Sequence, residues 1–206
     1  MWVCGSDNIV FCYEDRTSLI VYGLTTSTPT NPPSHARVGQ EECGLSPSEA
    51  RKNNCVFDPI IMGWVPGRCY DADLARDFLS RRNWTFHRTP PDGNGKTDDV
   101  VVEMSDVLAG DWDFLYVEPQ FYILQCLYTW KKTWRAAVEN AAVVVDGYLA
   151  DEHHTNHCEM LITKGPEREK SLYMKYSSCP WGKHGSAGRF GWYRVVKGKR
   201  VYRLDA

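Results

Sequence analysis

The longest helical periodicity in the chain runs from Pro119 to Asn140, where Ile123, Cys126, Leu127, Trp130, Trp134, Ala137 and Val138 recur at three- and four-residue intervals. The spacing predicts a core helix with this stripe turned inward, and with Lys131, Lys132 and Arg135 on a solvated face. Ser46-Pro47-Ser48-Glu49 reads as a capping box with proline at the first helical position, so a short helix should follow and end near Asn53-Asn54. Asp71 should cap another helix, reaching Ser80 and carrying Leu74, Phe78 and Leu79. A further helix should begin near Asp151 and run to Leu161.

Between the first two of these helices, Ile60, Ile61, Met62 and Trp64 form an apolar run broken by Asp58-Pro59 and Val65-Pro66-Gly67, which predicts a buried but irregular segment. Extended structure is expected mainly at the ends. Ile9 to Cys12 and Leu19 to Val21 are short β-favouring runs, and Phe190 to Leu204 alternates about Lys197-Gly198-Lys199 as a β-hairpin does. Thr25 to Ser34, with Pro29, Pro32 and Pro33, reads as a linker, and Pro90 to Lys96 as the clearest loop. The resulting fold class is mainly α (α+β): a helical core domain with disulfides and small β-hairpin extras at both ends. The expected divisions are a peripheral segment and linker over 1–40, the core over 41–165 and a C-terminal hairpin extension over 166–206.

Composition narrows the function classes. A hydrophobic fraction of 43% against 24% charged residues suits one sizeable core, and a formal net charge of -2 gives no footprint for a polyanion, so nucleic acid is not an expected partner. The apolar run Ala141 to Val145 is far below the roughly 18 residues a membrane span requires, and Met1 to Asp15 lacks the apolar centre of a signal peptide. Eight cysteines nevertheless point to an oxidising compartment, the secretory lumen or outside the cell, and Asn83-Trp84-Thr85 is a glycosylation sequon expected at the surface. A trimmed or incomplete N-terminus would reconcile the two. Cys43, Cys55 and Cys69 crowd one irregular region, where at least one disulfide is expected.

The chemistry concentrates in His153-His154-Thr155-Asn156-His157-Cys158. On a helix, positions i, i+3 and i+4 share a face, so His154, His157 and Cys158 converge, and His153 with His157 forms an alternative pair. Two imidazoles and a thiolate are ligands for copper, zinc or iron, with further ligands required from another element or from solvent. The competing reading is a disulfide at Cys158 and ordinary polar histidines. His35, His87 and His184 are isolated and read as surface or hydrogen-bonded residues; His87, near Trp84 and Phe86, is the best placed of them to assist. No CxxC pair occurs, which argues against a reduced cytosolic zinc domain.

His154-Thr-Asn-His157-Cys158-Glu159-Met160-Leu161 resembles the second HxxHC motif of the fungal ustiloxin-biosynthesis oxidase-like family. Glu42-Cys43-Gly44, Ser46 to Arg51, Cys55 to Asp58, Trp64-Val65-Pro66 and Cys69-Tyr70-Asp71 resemble a large group of uncharacterised fungal membrane-anchored proteins that share the motif; together the resemblances cover about residues 40 to 162. They imply metal-dependent oxidative tailoring of a small molecule or peptide in fungal secondary metabolism, with copper the implied metal and an N-terminal membrane anchor usual in relatives but absent here. In that reading His154 and His157 hold the metal with Cys158 or His153, and Tyr122 relays an electron or proton.

Where the first HxxHC motif of the family falls, this chain has Tyr122-Ile-Leu-Gln125-Cys126. Two imidazoles are gone and the cysteine is kept, which weakens the metal expectation and implies a Cys126–Cys158 clamp between two helices with facing motif positions. The alternative function is a secreted, disulfide-stabilised binding or interaction protein that has lost catalysis.

Overall fold

In a computed structural model of the chain, residues 3–7, 9–13, 41–89, 100–138, 144–165, 171–179 and 191–202 are described. The chain divides into Met1–Val38 and Gly39–Ala206. In the first unit β1 (Val3–Asp7) pairs antiparallel with β2 (Ile9–Tyr13), setting Cys4 opposite Cys12, so the Ile9 run is a strand as expected. Leu19 to Val21, the 25–34 linker, the 90–96 loop, His35 and His184 lie outside the described residues.

The second unit begins with α1 (Pro47–Lys52), where Ser46 Oγ accepts from the Glu49 amide at 3.2 Å and the Glu49 carboxylate accepts from the Leu45 amide at 2.9 Å. Next come β3 (Cys55–Asp58), β4 (Gly63–Pro66) and α2 (Ala72–Ser80), the last capped by Asp71 as its sequence indicates. Then follow β5 (Phe86–His87), β6 (Val101–Val102), α3 (Met104–Ala109), β7 (Phe114–Val117), α4 (Pro119–Val138) and α5 (Glu152–Lys164). The chain closes with β8 (Ser171–Tyr173), β9 (Lys175–Ser177), β10 (Trp192–Val196) and β11 (Lys199–Val201). Asn83 is exposed just beyond α2, as the sequon reading requires.

These strands overturn the mainly helical fold class. They build one five-stranded sheet, ordered β11-β10-β9-β4-β3, and one four-stranded sheet, ordered β6-β5-β7-β8, so the fold is α+β with two substantial sheets. The segment read as irregular is the β3–β4 hairpin, which the turn at Asp58-Pro59 permits: Asp58 Oδ1 accepts from the Ile60 amide at 2.9 Å. β4 lies between β3 and β9 and all four of its residues are buried, so no polar alternation marks it as a strand. The C-terminal hairpin turns where expected, with Lys197 and Gly198 both at positive φ, but β10 pairs with β9 and is integral to the five-stranded sheet. The chain passes from one sheet to the other at Met174, whose amide donates to Asp113 O at 2.9 Å.

The orientation of α4 reverses the expectation. Leu127, Trp130, Trp134 and Val138 are exposed, while Phe121, Gln125, Cys126, Tyr128, Thr129 and Lys132 are buried. Lys132 reaches a wholly enclosed pair of carboxylates, Asp58 at 2.6 Å and Asp146 at 3.4 Å. An aromatic core lies beneath: Phe121 meets Phe78, Trp84 and Phe86 edge to face, with ring centroids 5.3 to 5.7 Å apart.

Three disulfides fasten the second unit. Cys43–Cys55 lies in the crowded region, Cys69–Cys179 joins distant segments, and Cys126–Cys158 clamps α4 to α5 as the paired motifs imply. They fit folding in an oxidising compartment. No described helix is long and apolar enough to cross a membrane.

Candidate functional site

The face of α5 follows from its cap. Asp151 Oδ1 accepts from the His153 amide at 3.1 Å, and Asp151 Oδ2 accepts from Trp192 Nε1 at 2.8 Å, so one side chain starts the helix and ties it to β10. His154, Cys158 and Leu161 then turn inward, and His153 is exposed on the outer side. Across the Cys126–Cys158 bond, α4 presents Tyr122, Gln125 and Cys126. The i, i+3, i+4 argument holds: these three line one cavity of about 160 Å³ with His154 and His157.

The sheet supplies the other wall. Ser177 pairs with Trp192 and Tyr176 with Tyr193, so strand alternation puts Lys175, Trp192 and Arg194 on the face beneath the helices, and all three line the cavity. Tyr148 completes it, placed by Asp146, whose Oδ1 accepts from the Tyr148 and Leu149 amides and from Ser177 Oγ. Gly147 makes that approach possible, since a Cβ there would stand 1.9 Å from Gly191 O. Nothing in the periodicity around Tyr148, Lys175, Trp192 or Arg194 singles them out as site residues.

Burial governs the electrostatics. His154, 7% exposed, has its imidazolium disfavoured first by burial and then by Lys175, which brings its pKa down to about 3; the ring is neutral at ordinary pH. It lies against the Tyr148 ring at a centroid distance of 4.2 Å, with Nε2 3.5 Å from Cys158 Sγ. Lys175 is lowered to about 7 by burial and by the neighbouring Arg194, although its Nζ donates to Ile61 O and Tyr173 O, each at 3.1 Å. Burial raises the Tyr122 and Tyr148 phenols, so both stay protonated. The Tyr173 hydroxyl is lowered by Ser171 and by Arg194, whose guanidinium lies 3.8 Å from the Tyr173 ring centroid.

No protein-family model matches the chain, and no solved structure matches it. It is similar to two curated proteins of Diaporthe leptostromiformis, phomopsin biosynthesis cluster protein B and phomopsin biosynthesis cluster protein B′. Each is 27% identical over 130 residues, which cover 59% of this chain and 36% of the relative. The chain spans about a third of the length of these relatives.

The names of these relatives refer to a phomopsin biosynthesis cluster and not to an ustiloxin oxidase. The geometry bears separately on the metal question. Ligand atoms of Cys126, His154 and Cys158 all lie within 4.8 Å of one another, a spacing that suits an ion. In the disulfide-bonded state the three do not fit one, because each sulfur is spent on the other and His154 Nε2 faces Cys158 Sγ. His157 lines the cavity and His153 does not, so the cluster is divided between two faces of α5.

Proposed function

We propose that this chain is a disulfide-clamped binding domain of fungal secondary metabolism, and that the cavity between α4, α5 and the five-stranded sheet receives part of a small-molecule or peptide substrate. The observation that carries this reading is the convergence of both motif positions, Tyr122 with Gln125 and His154 with His157, on one cavity walled by Tyr148 and Trp192. Aromatic walls with a few polar groups suit recognition of a small organic group. In a tailoring reaction this domain would orient the substrate, with Tyr122 as the neutral phenol at the cavity edge.

Deleting the gene should change the secondary-metabolite profile of the producing organism, and the wild-type chain should restore it. Ser171→Trp, which fills the cavity from β8, should fold and fail to restore it. An unchanged profile on deletion, or full rescue by Ser171→Trp, overturns the proposal.

A second reading, metal-dependent oxidation, is favoured by the close Cys126, His154 and Cys158 donors and requires the Cys126–Cys158 bond to be reduced. Copper, zinc and iron are the candidates by donor chemistry. Metal titration before and after reduction tests it. Equal, negligible binding in both states removes it.

A further inference from the structure

Two buried side chains in the cavity have unused hydrogen-bond donors. Gln125, 4% exposed on α4, leaves Nε2 without a partner, and Arg194, 8% exposed on β10, leaves both Nε and Nη1 without one. Both residues line the cavity, from the helical wall and the sheet wall respectively. Buried polar groups are nearly always satisfied, and an unused donor on a charged group is the costliest kind to leave. All three unused atoms are donors, so what they lack is an acceptor.

Charge narrows the acceptor further. The described residues lining the cavity include Lys175 and Arg194 and no Asp or Glu, so among the described residues its positive charge has no acidic counterpart. Water would satisfy the donors but would leave that charge unbalanced. Lys175 feels the imbalance: burial and Arg194 together make its own protonation unfavourable. The volume, about 160 Å³, is roughly that of five liquid waters and admits a group of a few heavy atoms. Tyr148 and Trp192, meeting at a centroid distance of 5.2 Å, offer apolar surface for its carbon part.

We propose that the cavity is a carboxylate-binding site in which Arg194 and Gln125 donate to the carboxylate of a small acid, or of the acidic end of a larger molecule. This rests on the binding reading above and gives it a ligand class. A guanidinium suits the planar, two-oxygen acceptor that a carboxylate presents, and its gain is largest where water is excluded.

The test compares propionate with propionamide, which match in shape and differ in charge, by ligand-observed NMR titration of the full disulfide-bonded chain. Propionate should bind at least about tenfold more tightly than propionamide. Arg194→Met should weaken propionate by about tenfold or more and leave propionamide unchanged, while Gln125→Leu should weaken propionate by about threefold to tenfold. A structural role for Arg194 predicts the opposite pattern, a lower unfolding midpoint with the preference for propionate intact. Should Arg194→Met fail to fold, Gln125→Leu and the comparison of the two probes on wild type still decide.

Equal affinity for the two probes, or no binding of propionate, overturns the carboxylate assignment. Failure of Ser171→Trp to restore the metabolite profile would then still support a binding cavity. Conversely, preferential propionate binding combined with an unchanged profile on gene deletion would uphold the site and overturn its role in secondary metabolism.

Discussion

Lys132→Met tests how the second unit is held together. The Lys132, Asp58 and Asp146 side chains are all 0% exposed, so the substitution keeps the buried stem and removes the cation shared by two enclosed carboxylates. Removing one partner of a buried pair costs about 3–5 kcal/mol, because the remaining charge stays out of water. The loss should depend on pH, since burial already holds the Asp58 pKa above the ordinary carboxyl value and loss of Lys132 would raise it further. A carboxyl with a folded pKa above its unfolded one binds more protons when native, so the variant regains stability as pH falls through that interval. Denaturant unfolding at pH 7.5 and 5 should give the full loss at 7.5 and a smaller one at 5. Adding Asp58→Asn should recover part of it. A loss below about 1 kcal/mol at pH 7.5, or an equal loss at both pH values, would refute the enclosed-charge argument.

His154 makes a different pH prediction: its folded pKa of about 3 lies below the unfolded 6.5, so its contribution is complete above 6.5 and declines as pH falls towards 3. At pH 4.5 this amounts to about 2–3 kcal/mol, and His154→Phe should show a shallower loss between pH 6.5 and 4.5 by urea titration; identical slopes count against the buried neutral imidazole. The Cys126–Cys158 bond spans a sequence separation of 32, so replacing both cysteines with alanine should cost about 3–4 kcal/mol, and an unchanged unfolding midpoint would contradict the clamp. Trp134→Ser, at a position 51% exposed, should cost under about 1 kcal/mol, whereas Phe121→Ala, at a position 1% exposed, should cost about 3–5 kcal/mol; the reverse order in thermal unfolding would mean that α4 is turned the other way.

The helix starts were legible because caps are local. Ser46, Asp71 and Asp151 each bond to an amide two or three residues ahead, and a sequence displays that relation directly. The face of α4 was not. Of the stripe 123, 126, 127, 130, 134, 137 and 138 only Cys126 is buried, yet residues 121, 125, 128, 129 and 132 recur at helical spacing as well, so the period is right under either assignment and only burial distinguishes them. Hydrophobicity favoured the first set. What reverses the choice is a charge balance no local window contains: Asp58 and Asp146 stand 74 and 14 residues from Lys132. The strands were hidden for a related reason, since β4 and β9 are buried on both faces and β5 and β6 are two residues long.

The same distinction divides the site. Tyr122, Gln125 and Cys126 on α4 and His154, His157 and Cys158 on α5 could be matched from helix spacing, because each trio belongs to one turn. That half contains the eye-catching imidazoles and suggests a metal. The sheet half, Lys175 and Arg194, belongs to strands whose pairing sets which side chains face the helices, and it brings positive charge to the same space. A cavity that holds the Arg194 guanidinium beside Lys175 favours an anion over a metal ion, so its chemistry reverses when the sheet is included. Gln125 makes the point in a single residue. As the counterpart of a motif histidine it reads as a lost ligand; as a buried amide with an unused donor, sharing a cavity with Arg194, it becomes half of a different recognition site.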